Sequence, residues 1–119
     1  MQGKIGWLEL HSDNSEESAT FYEKAFGWKI QRDPSMGDYI MFTDADGGLG
    51  GGFTKEMPKQ AGGIYILTDS IESSLEAVEA AGGKTAKGRT LISPEIGSWA
   101  LFTDPSGNAI GLFEQVTRS

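Results

Sequence analysis

The chain has 119 residues, of which 38% are hydrophobic and 23% charged, and its 17 acidic against 10 basic side chains leave a formal charge of −7. That length suits one domain with a single modest core, and the acidic balance argues against a nucleic-acid partner and for cationic small molecules. No apolar run approaches the roughly 20 residues of a membrane span, MQGKIGWLEL lacks a secretory h-region, and without cysteine there is no disulfide framework or thiolate, so a cytoplasmic protein is expected.

In chain order, IGWLEL (5–10) predicts a strand, and SEESATFYEKAFG (15–27) predicts a helix. In that helix Ala19, Tyr22, Ala25 and Phe26 form the apolar stripe, Asn14 with Glu17 can close a capping box, and Gly27 marks the end. WKIQR supplies a short strand. YIMFTDADGGLGGGF (39–53) reads as strand, tight turn and strand. MPKQAGG (57–63) has the proline and paired glycines of a linker. GIYILT predicts a further strand, followed by the helix SIESSLEAVEAAGG with Ile71, Leu75 and Val78 on one face. Asp69 with Glu72 is its expected N-terminal cap, and Gly82 lies just past its end. GKTAKGRTLIS and WALFTDPSGNAIGLF (99–113) complete the chain with a strand and a second hairpin.

The two hairpins are one pattern written twice. Residues 39–53 laid over 99–113 are identical at Phe42/Phe102, Thr43/Thr103, Asp44/Asp104, Gly47/Gly107, Gly51/Gly111 and Phe53/Phe113, and Tyr39 and Trp99 are aromatic in both copies. The order β, α, β, β, β therefore occurs twice, in modules at about 1–56 and 62–119 of a single α+β domain.

A helix ending FYEKAFGW, then FTDPSGNAIGLFE near the C-terminus, resembles the glyoxalase/bleomycin resistance protein/dioxygenase (vicinal oxygen chelate) superfamily over essentially the whole chain. The resemblance implies tandem βαβββ modules with curved mixed sheets around a cleft, helices on the outside, and a homodimer whose cleft both chains border. Metal-dependent members hold one divalent ion on four strands. The corresponding positions here are Trp7, Gly51 or its neighbour Gly52, Gly63 and Gly111. Neither indole nor glycine offers a lone pair, so no metal and no other cofactor is expected.

On the alignment that the resemblance implies, Trp7, Phe53, Tyr65 and Phe113 share the cleft-facing parity, although aromatic residues also fill ordinary cores. Trp99 and Tyr39 are open to both readings. Glu9 shares a strand face with Trp7 by the period of two, so its carboxylate must be solvated, hydrogen-bonded or neutralised by a bound cation. His11, the only histidine, reads as a strand-end residue, and DADGG (44–48) as a turn rather than a calcium loop. The expected function is a metal-free, bleomycin-resistance-like protein that sequesters a cationic or aromatic ligand through Trp7, Glu9, Phe53, Tyr65, Trp99 and Phe113. The alternative is a glyoxalase or dioxygenase-type enzyme with a displaced metal site.

Overall fold

Apolar residues alternate along the strands, so each sheet has one face that seeks a helix and one that does not. The computed structural model describes residues 3 and 5–116. Residues 1, 2, 4 and 117–119, the outer ends of the predicted modules, lie outside the described residues. The elements run β1 (Leu8–His11), α1 (Ser15–Phe26), β2 (Lys29–Gln31), β3 (Ile40–Thr43), β4 (Gly50–Thr54), β5 (Ala61–Leu67), α2 (Ile71–Ala80), β6 (Lys84–Ser93), β7 (Gly97–Thr103) and β8 (Ala109–Gln115). A short 3₁₀ turn, Pro34–Met36, separates β2 from β3. The order is βαβββ twice, and two open four-stranded sheets result, β1-β4-β3-β2 and β5-β8-β7-β6. In each, the first and last strands of the module are parallel and the other pairs antiparallel.

The first helix ends as its sequence implies: Asn14 accepts from the Glu17 amide, and Gly27 adopts a left-handed conformation at φ 71°. For α2 the cap is Ser70, which accepts from the Ser73 amide, rather than Asp69. The expected linker also shortens. Gly62 and Gly63, at φ 91° and 88°, lie inside β5, where the pairing with β8 shifts register.

Both helices lie against the inner faces of their sheets and against each other. Leu10, Ile40, Phe42 and Phe53 of the first sheet and Ala100, Phe102, Ile110 and Leu112 of the second join one core. Tyr22 is its centre: its ring stacks on Trp28 at 4.3 Å and on Phe53 at 5.8 Å between centroids. Phe21 reaches Phe102 across the module boundary, with centroids 6.0 Å apart.

That boundary is polar as well as apolar. The turn after β7 is buried, and the Asp104 carboxylate accepts from the Ser106 and Asn108 amides, from the Asn108 side chain at 2.7 Å and from the Tyr22 phenol at 2.8 Å. Asn108 also donates to the His11 carbonyl at 2.7 Å and accepts from the Gln60 amide at 2.8 Å, while Ser106 accepts from the Asp13 amide at 3.0 Å. The second module's turn thus holds the end of β1, helix α1 and the connection between modules. The matching turn is exposed, and the Asp44 side chain accepts from its own Gly48 amide without reaching the other module.

The hairpins differ by one residue, which corrects one assignment. In module 1 Phe42 pairs with Gly51, whereas in module 2 Phe102 pairs with Ile110. Asp44 closes its turn on the Leu49 carbonyl and Asp104 on the Asn108 carbonyl, so the first turn carries one extra residue. The repeat aligns Asp44 on Asp104, but beyond the turn Gly52 corresponds to Gly111 and Phe53 to Leu112. A one-residue slip exchanges the faces of a strand. Phe53 is consequently 1% exposed and turned to the core side of β4, opposite the face that carries Trp7 and Glu9.

Burial first, and the Asp104 carboxylate second, push the Tyr22 phenol well above its ordinary value of 10. A raised value means that the protonated phenol stabilises the fold fully below the unfolded value and less as the pH rises past it. Tyr22→Phe, which keeps the ring, should cost about 1–3 kcal/mol at neutral pH. Denaturant midpoints measured against pH should fall above about pH 10 in the parent protein, and this component should be missing in the variant.

Candidate ligand-binding faces

With Leu8 and Leu10 turned to the core, β1 places Trp7, Glu9 and His11 on the opposite side of the first sheet. The indole N–H of Trp7 donates to the Tyr39 phenol oxygen at 2.9 Å, and the phenol donates to Glu9 Oε2 at 2.8 Å. Of the three options open to Glu9, hydrogen bonding to a neighbour is the one observed. Desolvation is the largest effect on Tyr39 and raises its phenol above the ordinary value, helped by the Glu9 carboxylate and opposed by the Trp7 donor.

The glycines of β4 make this arrangement possible. A Cβ at Gly52 would land within the Tyr39 ring, and one at Gly50 would come within 3.3 Å of Trp7 Cζ3. On the second sheet Gly111, the counterpart of Gly52, seats the ring of Tyr65 in the same way. Beside it Trp99 pairs with Phe113 across β7 and β8, and Leu67 flanks Phe113 on β5. Tyr65, Ile92, Trp99 and Phe113 surround a shallow cavity of about 410 Å³. The Lys87 ammonium lies 5.8 Å from the Trp99 ring centroid.

The six expected residues thus fall in three places. Trp7 and Glu9 share the open face of the first sheet; Tyr65, Trp99 and Phe113 share that of the second; Phe53 is in the core. Tyr39 and Ile92 complete the two faces. The repeat held a sign of Tyr39, since it occupies the position of Trp99 in the other copy. His11 has both ring nitrogens engaged, Nδ1 with the Met57 carbonyl at 2.7 Å and Nε2 with Asp13 at 2.9 Å, and it anchors the loop after β4.

The positions implied for metal ligands do not fit a divalent ion. Tyr39 fills the space over Gly52 and Tyr65 that over Gly111, and the indole N–H of Trp7 is committed to Tyr39. Among the described residues, no three of His, Cys, Asp and Glu converge in a way that could hold a metal. What the faces offer is aromatic surface, with one half-buried carboxylate on the first and the Lys87 ammonium near Trp99 on the second.

Because Gly52 has no positive φ, alanine is acceptable to the backbone there and the nearest clash is with Tyr39. Gly52→Ala should displace the phenol and break its bond to Glu9, with a loss of about 1–3 kcal/mol from overpacking. Changed Trp7 fluorescence alongside a cooperative, modestly lowered melting transition would report this outcome.

No helix among the described residues is long and apolar enough to cross a membrane. Residues 4–43 match the family of bleomycin resistance protein-like N-terminal regions. A glyoxylase-like domain-containing protein of Didymella fabae is 30% identical over 117 residues, covering 91% of each chain. The anthracycline biosynthesis protein DnrV of Streptomyces peucetius is 27% identical over 136 residues; 95% of this chain spans 47% of DnrV, about half of its length. Among solved structures, TnmS3, an antibiotic binding protein from a Streptomyces species, superposes with a TM-score of 0.77 at 18% identity, covering 97% of this chain and 98% of that one. With its tandem βαβββ modules and these relatives, the chain belongs to the glyoxalase/bleomycin resistance/dioxygenase superfamily.

Proposed function

We propose that this protein is a small-molecule binder that sequesters a cationic or aromatic ligand, without the metal used elsewhere in its superfamily. The observation that carries the reading is the pair of open faces, one set with Trp7, Tyr39 and Glu9 and the other with Tyr65, Trp99 and Phe113 around the 410 Å³ cavity. Aromatic walls with few, placed polar groups are the ordinary composition of small-molecule sites. The formal charge of −7 favours a cation. The likeness to TnmS3, an antibiotic binding protein, and to DnrV, an anthracycline biosynthesis protein, supports a small-molecule ligand.

A homodimer is part of the proposal. Trp7 is 51% exposed, Tyr65 54%, Leu67 70% and Leu91 63%, large apolar side chains that a partner surface would cover. The radius of gyration, 14.7 Å, exceeds the about 13.5 Å expected for a single compact domain of this length. Twofold pairing would set the first-sheet face of one protomer against the second-sheet face of its partner, and build two equivalent clefts.

An anthracycline bearing a protonated amino sugar, with its neutral aglycone as control, provides a charged and an uncharged aromatic probe. Trp99→Ala and Phe113→Ala should each weaken both probes by about tenfold, the size of one aromatic contact. Glu9→Gln should weaken the charged probe by at least about tenfold and the aglycone by less than about twofold. Titration by fluorescence checks both, and sedimentation at micromolar concentration should give the mass of a dimer. Tightly bound zinc, nickel, manganese or iron at one per chain in the purified protein would instead favour an enzyme of the glyoxalase or dioxygenase type.

A further inference from the structure

Every hydrogen in the Trp7–Tyr39–Glu9 chain has a forced direction. An indole nitrogen can only donate and an ionised carboxylate can only accept, so the phenol hydrogen must go to Glu9. The indole then supplies the phenol oxygen with its donor, at 2.9 Å, and the phenol reaches Oε2 at 2.8 Å. The raised value of the Tyr39 phenol keeps it protonated through neutral and mildly alkaline pH, so the direction does not reverse. Gly52 fixes the ring from below, because no other residue leaves room for it.

This arrangement commits one carboxylate oxygen and releases the other. Among the described residues no donor reaches Glu9 Oε1. On this part of the face both donors, the indole N–H and the phenol O–H, are already used, and what remains for a ligand is a charged acceptor beside two aromatic rings. A neutral acceptor group on a ligand would meet like dipoles there; a protonated amine would meet a carboxylate already held in place, with little side-chain freedom left to lose.

We propose that Tyr39 and Trp7 are positioning residues that aim Oε1 of Glu9 at a ligand N–H, so that the site selects aromatic molecules carrying a protonated amine over their neutral counterparts. The inference rests on the ligand-binding reading above and assigns its charge selectivity to the Tyr39 hydroxyl.

The test is a double-mutant cycle with the anthracycline and its aglycone, comparing the ratio of their affinities in the parent protein, Tyr39→Phe, Glu9→Gln and the double variant. Tyr39→Phe keeps the ring on Gly52 and removes the hydroxyl that joins the Trp7 indole to Glu9. The ratio should fall about fivefold in Tyr39→Phe and at least about tenfold in Glu9→Gln, and the double variant should match Glu9→Gln, because Tyr39 acts through Glu9. Trp7→Phe, which deletes the indole donor, should lower the ratio in the same direction by a smaller factor. A Tyr39 with a merely structural role would weaken both probes together, in either background, and would overturn the inference. So would an unchanged ratio in Tyr39→Phe, or additive losses in the double variant. A parent protein that binds both probes equally would remove the selectivity while leaving small-molecule binding in place; one that binds neither would remove both readings.

Discussion

The fold depends on a buried carboxylate that pairs with no cationic side chain among the described residues. Asp104 is 5% exposed and satisfied by two backbone amides, an amide side chain and a phenol. A buried carboxyl group so placed is tolerated only while its hydrogen-bond partners are present, and those partners come from both modules. Tyr22 belongs to α1, and Asn108 in turn holds the last carbonyl of β1. The strand that carries Glu9, with Trp7 just ahead of it, is therefore located by a turn nearly a hundred residues further on. Arg89 plays a lesser, peripheral part, tying Glu72 at the start of α2 to Glu114 on β8, and it holds the Glu72 carboxyl down at about 2.

On the outer faces the organising relation is between glycine and aromatic ring. Gly50, Gly52 and Gly111 do not simply make space; each is covered by a ring of the protein itself, Trp7, Tyr39 and Tyr65 respectively. The rings cover the glycine backbone, and on the first sheet the polar edges of Trp7 and Tyr39 are tied to each other and to Glu9. Such a surface loses little conformational freedom on meeting a planar ligand. The two sheets share this device but differ in polarity, since the position of Glu9 opposite Gly52 is taken by Tyr65 opposite Gly111.

Much of this was legible in the sequence, because a duplicated pattern reveals topology without any contact being known. The caps at Asn14 and Gly27 were legible for a local reason: each satisfies helix-end groups within a few residues. Asp69 and Ser70 are neighbours with similar capping chemistry, and the choice of Ser70 depends on where β5 delivers the chain. Gly62 and Gly63 read as a linker because a bulge within a strand uses the same residue type as a loop. Phe53 was misplaced because identities at Gly51/Gly111 and Phe53/Phe113 favoured an ungapped alignment, whereas hydrogen-bond register obeys the turn. Tyr39 was visible only as an aromatic residue; that it bridges Trp7 and Glu9 is a long-range relation that periodicity does not contain.

The extra residue in the turn from Asp44 to Leu49 has a consequence for how such a protein diversifies. Each substitution on a ligand-facing strand alters one contact. A change of one residue in turn length, far from that strand's centre, exchanges the complete set of outward and inward side chains along it. After duplication, two modules that began with the same outer surface could acquire unlike ones in a single insertion or deletion, provided that small residues stood where the new inward positions fell. The run Gly50-Gly51-Gly52 is such a tolerant segment. Gly51 now lies on the core side, where any side chain would strike the Leu8 carbonyl and Phe42, so the same glycines that allow the exchange also record which register is occupied.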